Sequence, residues 1–551
     1  MAIHAKQCKT CAKTFQIPDE DQEFYIKMQV TKPDFCPSCR QQRRLAFRNE
    51  FYLYQRKCDF SGKEIISMYS PDKPYKIYDQ ETWWSDKWDP MQFGRDFDFN
   101  KPFFEQFIDL QKSVPRMSLN VISSENSYYT NYAFRNKNCY MVFTTDYCED
   151  SYYGRINYHC FKCVDFDYTN DSTHCYEVFD AKRCNNCHFS QKISGCSNLL
   201  FCYDMKNCHD CIGCANLRNK KYYIHNKEAT KEEYEKIIKK MDLGSYKGLQ
   251  KAKKQTDEFL LTCPKKHLEN VNSEDCIGNF LKNSKNAKFC FDSEKLHDVK
   301  YATQLNDAKD SQDWDFVAEG SELCYQMVSS AIRMIQCKFC MNSWEGNSNI
   351  SYCDLCLGNS NIFGCVGLRK KHYCILNKEY TKEEYEEIIP RINEHMKQTG
   401  EFSQFFPAQA SPFGYNESVA SEYFPLKKED ALKLGFTWKD NDKKDYKKQT
   451  YIIPDQITQI PSSITNETLA CEVCGKNYKI TSQELEFYKK SNLPIPHSCY
   501  LCRHKTRMAK KNPRKLWEKS CAKCGIKTQT TYPPENPSPI LCEKCYLEHV
   551  G

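Results

Sequence analysis

From Ser127 onward the chain can be written in rows of twelve, with small or apolar side chains in fixed columns and polar ones between them. The rows run SYYTNYAFRNKN, CYMVFTTDYCED, SYYGRINYHCFK, CVDFDYTNDSTH, CYEVFDAKRCNN, CHFSQKISGCSN, LLFCYDMKNCHD and CIGCANLRNKK. Their first column holds Ser127, Cys139, Ser151, Cys163, Cys175, Cys187, Leu199 and Cys211. Their tenth holds Cys148, Cys160, Ser172, Cys184, Cys196 and Cys208. Self-similarity at so short a period predicts a β-solenoid-like array, each coil burying its inward side chains on those of the next.

A second array follows. NLRNKKYYIHNKEATKEEYEKII closes the first and GLRKKHYCILNKEYTKEEYEEII the second. Rows of twelve carried back from that alignment predict the columns Leu281, Ser293, Leu305, Val317, Ser329, Met341, Cys353, Cys365 and Ala287, Val299, Ser311, Leu323, Ile335. Cys324 and Cys337 fall off them. Thr230 with Glu233, and Thr381 with Glu384, are capping boxes that open helices with Tyr and Ile at helical spacing. Each helix is expected to lie over the last coil and shield its strand edge. A shorter amphipathic helix begins after Pro102, with Asn100 as its expected N-cap.

The array cysteines admit two chemistries. Cys160-x2-Cys163, Cys184-x2-Cys187 and Cys208-x2-Cys211-x2-Cys214 have ligand-like spacing, the last similar to part of an iron–sulfur run. The second array argues for core instead, because Asn359 and Ile362 stand where the first has Cys208 and Cys211. A metal site would not survive that exchange. A packed column of small side chains would, since free cysteine behaves as a small hydrophobe. Cys202 with Cys353, and Cys214 with Cys365, are shared by both copies and mark where array metal binding would be sought.

At the two ends the cysteines read differently. Cys8-x2-Cys11 with Cys36-x2-Cys39, and Cys471-x2-Cys474 with Cys499-x2-Cys502, are two sets of knuckles with the same interval between their pairs. Two such knuckles complete the tetrahedral four-cysteine site that Zn²⁺ accepts. Phe24, Tyr25, Lys27, Pro33, Arg40 and Arg44 match Phe487, Tyr488, Lys490, Pro496, Arg503 and Arg507 one for one. On these residues both ends resemble the bacterial "probable zinc-ribbon domain" family, which reads C-x2-C, then Phe-Tyr, then Pro-x2-C-x2-C-Arg. The resemblance implies a metal-binding module and no particular activity. Cys521-x2-Cys524 with Cys542-x2-Cys545 is a third such ribbon, with a shorter, Pro-rich interval. With four filled ligand positions each, the three are expected to be structural Zn²⁺ sites whose metal supplies much of each module's folding free energy.

Basic residues follow the second knuckles: Arg40, Arg43, Arg44 and Arg48, then Arg503, His504, Lys505, Arg507, Lys510, Lys511, Arg514 and Lys515. Two readings stand for the C-terminal cluster, contact with phosphates or compensation of a four-thiolate zinc site of net charge −2. The second is preferred at the N-terminal ribbon. Bulk charge does not decide, because twelve thiolates and three Zn²⁺ subtract six from the formal +7 and leave +1.

A chain of 551 residues needs several domains. The expected order is a zinc ribbon at 1–48, an α+β connector at 49–118, an array with its helix at 119–245, a connector at 246–270, a second array with its helix at 271–400, a linker at 401–466, and ribbons at 467–515 and 516–551. In the first connector Trp83, Trp84 and Trp88 are expected as core, and Cys58 as a buried thiol without a nearby partner. The linker reading rests on Pro, Ser, Asn and Lys, the run KDNDKKDYKK and the short helical piece ALKLGF. With 35 cysteines, no export signal and no long apolar run, the chain is expected in the cytoplasm with its thiols reduced. No phosphate loop, HExxH or nucleophile elbow is present. The expected function is therefore a non-catalytic zinc-binding scaffold or adaptor contacting nucleic acid or a nucleoprotein complex, without a membrane or small-molecule substrate. A protein partner without nucleic acid, and metal or thiol storage, are the alternatives.

Overall fold

The computed structural model describes residues 4–440 and 445–551. The chain divides into two compact units that interleave along the sequence, one of residues 1–119 and 268–440, the other of residues 120–267 and 441–551. Each unit contains one array and the ribbons from the opposite end of the chain.

In the second unit, strands of the first array pair in parallel at a constant offset of twelve: Tyr152 opposite Val164, Val164 opposite Tyr176, Phe179 opposite Gln191, Gln191 opposite Tyr203. The chain thus returns to the same place every twelve residues. From Ser123 to His225 every third residue has positive φ, so a turn consists of four triplets. The first residue of each triplet points inward. Cys139, Val142, Cys148, Cys160, Cys163, Phe166, Val178 and Ile193 belong to one buried cluster. The inward columns therefore number four per turn, two more than the cysteine pattern predicts.

The third residue of each triplet lies in the left-handed region, unfavourable by about 1–2 kcal/mol for most side chains and least so for Asn and Asp. The sequence answers with Asn126, Asn138, Asp150, Asp171, Asn186, Asn198, Asn207, Asp210 and Asn219 there. Their side chains form ladders between turns, Asn186 donating to Asn198 at 2.9 Å and Asn198 to Asp210 at 2.8 Å.

The inward thiols have work besides filling space. Each bend turns a carbonyl and an N–H inward. Cys163 Sγ lies 3.6 Å from the Phe161 carbonyl and 3.5 Å from that of Ser172, positioned to donate. Cys148 Sγ accepts the N–H of Cys160 at 3.3 Å. Ser151 does the same with oxygen, donating to Glu149 O at 2.9 Å and accepting Cys163 N–H at 3.1 Å. Cysteine and serine interchange down these columns because both are small and can donate and accept at once.

The second array, in the first unit, keeps the twelve-residue offset at Phe291 opposite Thr303 but changes to thirteen at Gln312 opposite Tyr325, Tyr325 opposite Lys338 and Lys338 opposite Ser351. Twelve returns at Ser348 opposite Ser360. Three single-residue insertions thus shift the register, and they bring Cys324 and Cys337 inward. The predicted columns hold through Leu305 and Ser311, fail from Val317 to Met341, and hold again at Cys353 and Cys365. Ala318 and Met334 fill the interior, whereas Val317, Leu323 and Met341 pack outward and Ile335 is 42% exposed. Gly278, at φ +151°, sits where one turn is a residue short, and a Cβ there would lie 1.8 Å from the Cys290 carbonyl oxygen.

Both capping boxes form, opening the helices Lys231–Lys240 and Lys382–Gln398. The last parallel strand of each array is closed by an antiparallel segment, Lys227–Glu228 or Lys378–Glu379. The first helix lies beside the last coil, Tyr234 meeting Tyr222 of the final parallel strand with ring centroids 5.7 Å apart. Tyr234 reaches the Asn198 carbonyl and packs with Leu200, Phe201 and Ile212, so the helix lines the flank of the last turns, where outward positions are apolar.

Three other expectations change. The helix Phe103–Ser113 is capped not by Asn100 but by Glu401, whose carboxylate oxygens accept the N–H of Phe103 and Phe104 at 2.8 Å. The connector after the first array contains a helix, Tyr246–Thr262. The first part of the expected linker is core: Phe405, Phe406, Phe413, Tyr415 and Val419 are buried, Gln42 donates to Tyr415 at 2.8 Å, and Val419 N–H donates to Arg48 O at 2.8 Å. ALKLGF contributes to the helix Lys428–Lys433. Residues 441–444 of the charged run lie outside the described residues. Trp83 and Trp88 are buried as expected, with the Arg369 guanidinium 4.1 Å from the Trp83 ring centroid.

Candidate metal centres

The twelve terminal cysteines come together as three groups of four: Cys8, Cys11, Cys36 and Cys39; Cys471, Cys474, Cys499 and Cys502; Cys521, Cys524, Cys542 and Cys545. Within each, the sulfurs lie within 4.8 Å of one another. Cys11–Cys36, Cys474–Cys499 and Cys524–Cys542 are each separated by 3.8 Å. A tetrahedron of bonds of about 2.3 Å has edges of about 3.8 Å, so the spacing suits a thiolate-bound metal, and it is far longer than a disulfide of about 2.05 Å. No array cysteine joins such a group among the described residues.

Each first knuckle is a tight turn. Cys8 N–H donates to Lys13 O at 2.9 Å and Ala12 N–H to Cys8 O at 2.9 Å; Cys471 with Lys476 and Gly475, and Cys521 with Ile526 and Gly525, repeat both bonds. The residue after the second cysteine, Ala12, Gly475 or Gly525, has positive φ, which glycine adopts without penalty. The second knuckle opens a helix, Cys36 preceding Pro37–Leu45 and Cys499 preceding Tyr500–Met508. Backbone N–H groups aim at the sulfurs: Cys36 N–H reaches Cys8 Sγ at 3.3 Å and Cys542 N–H reaches Cys521 Sγ at 3.3 Å. Burial opposes ionisation of Cys471, yet the N–H groups of Cys499, Cys474 and Val473 push it down to about 6, toward the thiolate a metal needs.

In the arrays burial and contact between neighbouring sulfurs act in opposite directions: hydrogen bonds from adjacent cysteines hold Cys160 down to about 5 and Cys184 down to about 4. Burial pushes Cys139, Cys290 and Cys374 each up to about 12.

The basic residues after the knuckles meet partners that neither reading anticipates. In the first unit, Arg40 Nε donates to Asp313 at 2.9 Å, Arg44 bridges Asp313 and Asp315 at 3.0 and 2.9 Å, and Gln41 donates to Asp315 at 2.8 Å. In the second unit, Arg503 Nε donates to Asp165 at 2.8 Å, and Arg507 bridges Asp165 and Asp167 at 2.9 and 2.7 Å. His504, in the place of Gln41, lies 3.2 Å from Asp167. All eight charged side chains of the two Arg–Asp clusters are buried. Burial opposes the charge on Asp167, but Arg507 and His504 hold its carboxyl down to about 2. The helices Pro37–Leu45 and Tyr500–Met508 are thereby each bolted to the side of an array through two arginines and two aspartates. A second bond accompanies each clamp: Tyr301 OH donates to Asp21 at 2.9 Å, and Tyr153 OH to Glu484 at 2.8 Å.

Of the residues expected at phosphates, Arg503 and Arg507 are therefore inside the molecule. Lys511 sits 3.4 Å from the Tyr168 ring centroid and Lys515 5.0 Å from that of Trp517. Lys505, Lys510 and Lys515 are exposed, Lys510 lying 3.3 Å from Asp257, and Arg514 is half-buried. Arg43 stacks on Phe35, its guanidinium 4.2 Å from the ring centroid. The aspartates could not be found by motif, because they lie 273 and 338 residues from Arg40 and Arg503.

No protein-family model matches the chain, and no curated protein does. Among solved structures, one described as "putative acetyltransferase from Desulfovibrio desulfuricans G20" aligns with 54% of this chain and 85% of its own at 10% identity, with a TM-score of 0.10. A score that low carries no argument about fold or activity. The likeness to zinc ribbons rests on the three four-cysteine groups and their spacing. Among the described residues, no helix is long and apolar enough to cross a membrane.

Proposed function

We propose that this protein is a non-catalytic, zinc-binding scaffold in which the ribbons act inward, as metal-dependent clasps that hold two β-solenoid arrays. Zinc is the natural occupant, because four thiolates at tetrahedral spacing, with no open position, suit a redox-inert structural ion. The observation that carries the reading is the insertion of Arg40 and Arg44 between Asp313 and Asp315, and of Arg503 and Arg507 between Asp165 and Asp167. Arg40, Arg44, Arg503 and Arg507 serve the protein's own interior, leaving the outer faces of the arrays for a partner protein. Storage of thiols is disfavoured by their burial. The test is limited proteolysis with and without a strong zinc chelator. Chelation is expected to open cleavage sites inside both arrays; arrays equally resistant without metal would exclude the clasp reading.

A second reading keeps a nucleic-acid partner, on the exposed Lys505, Lys510 and Lys515 and on a face of the first array. There Tyr147 and Tyr158 are 39% and 42% exposed, their ring centroids 5.4 Å apart, and Arg135 lies over Tyr147 at 5.2 Å. Rings beside cations suit the stacking of unpaired bases. Fluorescence anisotropy with a labelled single-stranded oligonucleotide decides it: binding that weakens with salt and is lost in Tyr147→Ala/Tyr158→Ala supports the reading, and no binding at low salt removes it.

A further inference from the structure

One numerical offset relates the two ends of the chain over a longer stretch than the matched ribbons. Cys8 maps to Cys471 and Arg40 to Arg503, since 471 − 8 = 463 and 503 − 40 = 463. The same 463 carries the hairpin Tyr54–Lys57 and Glu64–Ser67 onto Trp517–Ser520 and Lys527–Thr530, without a gap. It carries Ile77–Tyr78, which pairs in parallel with Arg116–Met117, onto Ile540–Leu541, which pairs in parallel with Lys265–Lys266. It also carries the start of the helix Gln80–Trp84 onto that of Glu543–Val550. Under this offset the ligands Cys521, Cys524, Cys542 and Cys545 fall on Cys58, Ser61, Asp79 and Thr82. One cysteine of four is present.

The backbone is that of a zinc knuckle nonetheless. Cys58 N–H donates to Lys63 O at 2.8 Å, Gly62 N–H to Cys58 O at 3.0 Å and Asp59 N–H to Ile77 O at 2.9 Å. The corresponding bonds at Cys521, Gly525 and Ala522 measure 2.8, 2.9 and 2.8 Å. Gly62 has φ +71° where Gly525 has +75°. Asp79 N–H points at Cys58 Sγ at 3.3 Å, as Cys542 N–H does at Cys521 Sγ.

Where the metal would sit there is a closed set of hydrogen bonds. Ser61 Oγ donates to Asp79 Oδ2 at 2.7 Å, Thr82 Oγ1 to the same oxygen at 3.0 Å, and Thr82 N–H to Asp79 Oδ1 at 2.8 Å. Ser61 N–H reaches Cys58 Sγ at 3.3 Å. The two knuckles are thus joined through a carboxylate rather than a cation. Neither hydroxyl is a ligand that Zn²⁺ favours.

We propose that residues 54–84 form a fourth ribbon of this protein, in which hydrogen bonds among Cys58, Ser61, Asp79 and Thr82 replace the metal, so that this clasp stays closed when the other three lose theirs. Two measurements on the full chain test it. First, metal is counted per chain in the parent and in Ser61→Cys/Asp79→Cys/Thr82→Cys, which restores four thiols. The variant is expected to hold one zinc more than the parent; an equal count in a variant with the parent's circular dichroism would overturn the proposal. Second, hydrogen exchange is followed in the parent with and without chelator, which needs no variant to fold. Backbone protection at 54–67 is expected to persist while that at 517–530 falls by an order of magnitude or more. Equal loss in both hairpins would overturn the proposal, whereas unchanged protection in the metal-bearing hairpin with the metal shown to be gone would instead count against the proposed structural role of zinc.

Discussion

At the scale of single residues, the buried ion pairs at the clamps are sensitive to the loss of either partner. Removing one partner of such a pair strands the other, typically at 3–5 kcal/mol. Arg507→Ala is expected to destabilise the second unit by about that much, read as a lowered denaturant midpoint, with Arg507→Lys only partly relieved because an ammonium cannot bridge Asp165 and Asp167 as a guanidinium fork does. Asp167 adds a pH signature. Its carboxyl is held at about 2 when folded, below the roughly 3.9 of a free aspartate, so its contribution is complete above about pH 4 and is lost as pH falls through about 2. The midpoint gap between the parent and Asp167→Asn should therefore narrow over that range, and a gap independent of pH would show that the charge is not what matters. The array thiols behave otherwise. Cys163→Ser is expected to change stability by no more than about 1.5 kcal/mol, because Ser151 already meets the same bonding demand one turn away, whereas Cys163→Leu should cost about 1–3 kcal/mol by overpacking. At this scale the gathering of the twelve terminal cysteines into three groups of four was legible from spacing alone. The clamp arginines were visible as basic residues, but their role was not, because a charge does not announce a carboxylate hundreds of positions away.

At the scale of elements, the arrays trade left-handed backbone against ladders of hydrogen bonds. Asn198 illustrates the exchange: its φ is +52°, and its amide joins the turns on either side. Asn198→Val is expected to cost more than Asn198→Gly, by about 1–2 kcal/mol, since valine both resists the left-handed region and, like glycine, loses the ladder; equal midpoints for the two variants would refute the strain argument. The twelve-residue period was readable in the first array because its offset is constant. It slipped in the second because three insertions each move every later side chain by one place, and residue type gives little warning where Val317 and Ala318, or Leu323 and Cys324, are equally apolar. Capping boxes identified both array helices, since that signal is local. Glu401 as the cap of Phe103–Ser113 was hidden because its partner comes from about 300 residues away.

At the scale of the whole molecule, burial sets what reagents can reach. Outside the twelve terminal cysteines, Cys276 is the one that is not buried. A thiol titration of metal-loaded protein is therefore expected to find about one fast-reacting group, rising to 35 on denaturation with a chelator; many fast thiols under native conditions would revive thiol storage. The division into repeated parts was legible, but the assignment of each ribbon to the array of the other half was not, because local sequence carries no record of which copy a module docks on. That interleaving has a consequence for synthesis. Arg40 must wait for Asp313, 273 residues later, or on the order of 14–55 s at a ribosomal pace of about 5–20 residues per second. During that interval Asp165 and Asp167 emerge first, presenting the nascent N-terminal ribbon with a near copy of its proper seat. The chain thus builds its decoy before its target, and correct assembly requires any premature embrace to be released.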